Sequence, residues 1–224
     1  MRKAIIVLCG LLALLGLCWI LLQHYATSAR PHTAVSPIIE KQAAVVTRNT
    51  FDPTAPPPAD MPPMSPGELA VCDSNFTAKA DVVGESQESD STHATLTITG
   101  VKMTLGLTVA IWTPEGATDH VIEHEDGHRQ ISEYYYETAD KLAAQIAAKY
   151  IGRRVPVEGT DLHAEITKTL QQLGAEITDE YDKELNPETT QLRYDAITDH
   201  ARNDVSAKDA VAQAIRETAT TPIQ

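Results

Sequence analysis

Two histidines and a glutamate fall together in the stretch DHVIEHEDGHRQISEYYYETA, residues 119–139, where His124-Glu125-Asp126-Gly127-His128 spells H-E-x-x-H. On a helix, residues four apart stack one turn above another, so both imidazoles can face one metal ion. Glu125, beside the first histidine, can take a proton from metal-bound water without being a ligand itself. Zinc suits this set. It binds imidazole nitrogen, polarises a carbonyl and brings the pKa of its water to about 7. The expected cofactor is therefore Zn2+. Both histidines continue the apolar stripe of Ile131, Tyr135, Leu142, Ile146 and Tyr150, so they should face the interior or a cleft.

Catalytic zinc takes three protein ligands and keeps one position open. The extended pattern H-E-x-x-H-x-x-G-x-x-H fails at once, with Ile131 in place of the glycine and Tyr134 in place of the third histidine. Glu133 and Glu137 share the helix but point poorly. The third ligand must come from elsewhere, and the residues able to supply it are His163, Glu165, Asp195 and His200.

The rest of the chain must position this helix. The formal net charge is -13, from 31 acidic residues against 18 Lys and Arg. That balance argues against a nucleic-acid partner, which needs concentrated basic side chains. At the N-terminus, Arg2 and Lys3 precede an uncharged apolar run from Ala4 to Leu22. The expectation for residues 1–29 is a signal peptide cut near residue 29, or an uncleaved transmembrane helix anchoring the chain in the membrane. Residues 30–68, containing FDPTAPPPADMPPMSPGE, read as a proline-rich flexible linker. Cys72 is the one cysteine beyond the apolar run, so no internal disulfide is expected and nothing around it suggests a nucleophile.

Folded character is expected over residues 69–224. Thr-, Val- and Ile-rich stretches between 76 and 113 predict two to four antiparallel strands, with a turn near Gly100 and an end at Trp112-Thr113-Pro114. One long helix is expected from Asp119 to about Tyr150, closed by Gly152. A second fits Asp161 to Leu185, stopped by Asn186-Pro187. A last helix begins at Ser206, at capping-box spacing from Asp209. The expected fold class is α+β, a small N-terminal antiparallel sheet followed by a helical part carrying the zincin-like helix.

Taken together, HEDGHRQIS and YDAITDH resemble a bacterial family of exported, predicted zinc-dependent proteases, in which an H-E-x-G-H helix is followed by a Y-D-x-x-T-x-H-G segment. The resemblance spans roughly residues 75–205 and departs at Ala201, where the family has glycine. It implies that His124, Glu125 and His128 form the zinc helix, and that Tyr194, Asp195, Thr198 and His200 form the downstream motif. On that basis His200 is expected as the third ligand. Asp195 is expected to orient a ligand through its unused ring nitrogen, and Tyr194 to donate to a developing oxyanion. The implied activity is an exported zinc metallopeptidase with Glu125 as base. It would act on peptides or proteins of the cell envelope, either anchored in the inner membrane facing the periplasm or released. The competing reading is a non-catalytic envelope protein with a structural zinc site.

Overall fold

The computed structural model describes residues 35–64 and 67–218. Its sheet is organised on one long strand, β4, His93–Pro114. In it Ala94, Leu96 and Ile98 are buried, and then the phase changes to Val101, Met103, Leu105, Leu107, Val109 and Ile111. The antiparallel partner β3, Val71–Glu88, explains the change. Val83 pairs with Gly100 but Gly84 pairs with Ile98, so Thr99 is an extra residue. A bulge of this kind exchanges the two faces of the strand beyond it. The turn expected at Gly100 is thus a bulge inside one strand, and the chain reverses instead between Glu88 and His93.

The other edge of β4 is tiled end to end by three short strands. These are β1, Ile38–Lys41, β2, Val45–Phe51, and β5, Arg154–Glu158. β5 runs antiparallel, whereas β1 and β2 run parallel to β4. The sheet is therefore mixed and five-stranded, which corrects the expectation of a small, wholly antiparallel sheet. It also corrects the flexible linker over residues 38–51, since both parallel strands lie inside it. These strands are mostly exposed. Backbone pairing needs no apolar alternation, so little in their side chains announced them. The proline-rich stretch after Phe51 has no helix or strand through residue 64.

Polar contacts fasten both strands to the helices. Arg48 on β2 meets Asp126 at 2.6 Å. Lys41 at the end of β1 donates to the carbonyls of Tyr136, at 3.2 Å, and Glu137, at 2.8 Å, and pairs with Asp140 at 3.1 Å. A cation on the last carbonyls of a helix is favourable through both the hydrogen bonds and the helix dipole. Replacing Lys41 by Met should lower unfolding stability by about 1–2 kcal/mol, measured by denaturant titration. An unchanged midpoint would show that this contact does not hold β1.

Residues of the first three helices share one core with the buried row of β4. α1, Asp119–Glu137, starts at Thr118, whose hydroxyl accepts from the Val121 N–H. α2, Ala139–Ala148, follows after a break at Thr138, where φ is -103° and ψ 7°, so the long helix expected to Tyr150 is two. α3, Leu162–Glu184, lies where a helix from Asp161 to Leu185 was expected, with Asp161 as its cap. α4, Glu188–Thr198, and α5, Ala207–Thr218, follow. Ile131, Tyr194, Ala210, Val211 and Ala214 form a second small core that presses α1, α4 and α5 together.

Among the described residues no helix is long and apolar enough to cross a membrane. The run Ala4–Leu22, on which the expectation of a transmembrane helix rested, lies outside the described residues.

Candidate metal centre

The chemistry-bearing residues come from two crossing helices. His124, Glu125 and His128 lie on α1, and Gln191, Tyr194, Asp195 and Thr198 lie on α4 at helical spacings that share one face. Close approach of the helices depends on Gly127. A Cβ there would stand 2.1 Å from the Tyr194 hydroxyl oxygen and 2.5 Å from its ring carbon Cζ. Tyr194 is fully buried; its hydroxyl donates to the His124 carbonyl at 3.0 Å, and its ring stacks on the His124 imidazole with centroids 5.0 Å apart. Changing Gly127 to Ala would gain about 1 kcal/mol of helix propensity. Overpacking costs typically about 1–3 kcal/mol, and an overlap this deep belongs at the upper end. Net destabilisation is expected by denaturant unfolding, together with weaker metal binding as Tyr194 is displaced.

Three ligand atoms converge. His124 Nε2 and His128 Nε2 are 3.3 Å apart. Asp195 Oδ1 lies 3.4 Å from the first and 3.0 Å from the second. Two ligands about 2.0–2.1 Å from a tetrahedral zinc stand ~3.3–3.4 Å apart, so this triangle has the dimensions of one metal's ligand shell. Asp195 Oδ1 is buried and makes no well-directed hydrogen bond despite its two close nitrogens. Buried oxygens are rarely left so, and a shared cation would satisfy it. His124, His128 and Asp195 thus form a set able to chelate a metal ion.

Electrostatics follow from the same packing. Burial pushes the Asp195 carboxyl up, but the two imidazoles beside it outweigh burial and hold it well below the carboxylate range. Burial lowers the pKa of His124. Burial also acts to lower that of His128, yet the Asp195 carboxylate raises it overall. Glu125 is 5% exposed, and burial lifts its carboxyl to about 7. The Cys72 backbone N–H donates to that carboxyl. Burial pushes the Cys72 thiol up to about 12, which keeps it un-ionised and unfit as a nucleophile.

A cleft of about 430 Å³ opens onto this set. One wall is the segment from Glu68 to Phe76, and the other is formed by Pro187, Gln191, Leu192 and Asp195. His124, Glu125, His128 and His200 all line it.

The downstream motif is assembled, but with altered roles. His200, expected as the third ligand, is half-exposed with Nδ1 3.6 Å from Asp195 Oδ1, outside the convergent triangle. Asp195 Oδ1 instead completes the group of atoms able to hold an ion, because Asp195 projects from the buried face of α4 while His200 lies beyond the helix end. Residues 199–201 all have positive φ, 49°, 52° and 63°, so the chain turns away in the left-handed conformation that favours glycine. Tyr194 is committed to the His124 carbonyl and does not line the cleft. Thr198 is buried and donates to the Tyr194 carbonyl at 2.9 Å. His163 is exposed at the start of α3, and Glu165 lies on that helix beside Lys168; neither belongs to the site.

Two contributors had gone unassigned. Gln191 meets His128 Nδ1 at 2.6 Å, and its spacing of four from Asp195 was the available signal. Gly127 is a helix-interior glycine, a costly choice that points to close packing. No protein-family model, curated protein or solved structure matches the chain.

Proposed function

We propose that the protein is a zinc-dependent hydrolase that cleaves peptide bonds. The observation carrying this reading is the triangle of His124 Nε2, His128 Nε2 and Asp195 Oδ1 at zinc-ligand separations, with Glu125 beside it in one cleft. Two neutral-nitrogen donors and one carboxylate are a donor set that zinc accepts in catalytic sites. A zinc ion held there would supply Lewis-acid polarisation of the scissile carbonyl and lower the pKa of water.

The chain's own residues divide the remaining work. Glu125, poised near neutrality by burial, takes the proton of the attacking water and returns it to the leaving amine. The Cys72 N–H holds that carboxylate in place. Asp195 compensates metal charge where neither histidine can. Among the described residues β3 pairs with β4 alone, so its outer edge at Val71–Phe76 supports the accommodation of an extended backbone beside the cleft.

The resemblance of HEDGHRQIS and YDAITDH to exported predicted zinc proteases supports the same reaction. Arg2, Lys3 and the apolar run behind them support export, with cell-envelope peptides or proteins as substrates. A structural zinc site is the competing reading. It is favoured by the position of His200, 3.6 Å from Asp195 Oδ1, where a shift could close a fourth coordination position.

Purified protein should contain one zinc per chain and hydrolyse members of a mixed peptide library. Chelation should abolish hydrolysis, and stoichiometric zinc should restore it. Zinc-loaded protein inert toward the whole library, with His200 coordinated, would establish the structural site instead.

A further inference from the structure

We propose that Gln191 is a positioning residue that sets the tautomer of His128 and so presents its Nε2 lone pair to the metal. The proposal rests on the metal-site reading above. It begins from an amide whose orientation is fixed. Gln191 Nε2 donates to the His128 backbone carbonyl at 3.1 Å and to Ser132 Oγ at 3.0 Å. A carbonyl oxygen can only accept, so the nitrogen end of the amide must face it. Gln191 Oε1 is consequently the atom 2.6 Å from His128 Nδ1. That oxygen also can only accept, and therefore Nδ1 carries the proton. In a neutral imidazole the other nitrogen then holds the lone pair. That nitrogen, Nε2, is the one 3.3 Å from His124 Nε2 and 3.0 Å from Asp195 Oδ1.

The support behind the amide is equally specific. Ser132 is fully buried, and its hydroxyl lies 2.8 Å from Ser74 Oγ on β3 and 3.1 Å from the His128 carbonyl. A flipped amide would set its oxygen against that carbonyl and its NH2 against the protonated Nδ1. Gln191 stands four residues before Asp195, so a single face of α4 delivers both a ligand and the group orienting another ligand. The two histidines are treated differently. His124 Nδ1 is buried without a hydrogen-bond partner among the described residues, and its ring is held by stacking on Tyr194 instead. As a neutral amide, Gln191 directs the lone pair without adding negative charge, leaving the metal more electrophilic than a carboxylate partner would.

Two measurements test this. In the metal-free wild type at alkaline pH, where imidazoles are neutral, nitrogen-15 spectra should show the His128 proton on Nδ1. Zinc affinity, measured by competition with a chromophoric chelator, should fall roughly 10–100-fold in Gln191→Leu without loss of the one-to-one stoichiometry. Gln191→Glu, which keeps an acceptor opposite Nδ1, should recover most of that loss. Wild-type affinity in Gln191→Leu would overturn the proposal, as would an unprotonated Nδ1 in the wild type, an observation that needs no variant to fold. If the wild type bound no zinc, the metal reading would fall, while the spectrum would still decide the role of Gln191.

Discussion

Replacing Glu125 by glutamine should leave zinc bound and lower peptide hydrolysis by about 10²–10⁴. The carboxylate lies outside the triangle of ligand atoms, so its loss removes no coordination. Glutamine keeps the size of the side chain and an oxygen for the Cys72 N–H, so the buried position can be filled without a cavity. What disappears is the ability to take a proton from water. The variant has a second signature, independent of substrate. Burial raises Glu125 from its ordinary 4.5 to about 7, so the folded state holds this proton more tightly than the unfolded chain. The contribution of Glu125 to the stability of the metal-free wild type should therefore be greatest below the lower value and decline as pH rises toward 7. In Glu125→Gln that part of the decline should vanish. Equal hydrolysis by zinc-loaded wild type and variant would end the assignment of Glu125 as base.

Asp195→Ala should weaken zinc binding by more than the roughly 10–100-fold expected for loss of a supporting partner, whereas His200→Ala should change it by less. The distances motivate the contrast. Asp195 Oδ1 completes the triangle with both histidines, while His200 Nδ1 reaches only the carboxylate, at 3.6 Å. Asp195 is also the one anionic member of the set, and a divalent ion held by two neutral imidazoles alone would lack charge compensation in a buried site. Alanine removes the carboxylate without installing another donor, and zinc content after dialysis at fixed free zinc reads the result. If His200→Ala loses zinc while Asp195→Ala keeps it, the third ligand is the histidine that the downstream motif implied.

The core of the site was legible because helical spacing is a local property. H-E-x-x-H on an apolar stripe requires His124 and His128 to face the same way and Glu125 to lie beside them, and both histidines and the glutamate do line one cleft. The helix Leu162–Glu184 was legible for the same reason. The choice between Asp195 and His200 was not. They stand five positions apart in the chain, and only the end of α4, with the left-handed residues 199–201, decides which one faces α1.

Strand direction was likewise invisible. β1 and β2 are mostly exposed and sit beside prolines, so nothing in their side chains revealed that they pair with β4, or that they do so in parallel. Pairing of that kind is made by backbone groups, which are the same in every residue but proline. The sequence by itself determined the turn-to-turn geometry of the metal helix and the phase of its apolar face. Tertiary structure decided which side chain completes the triangle, the partner of His128 and the edge that walls the cleft, because each depends on contacts between segments distant in the chain.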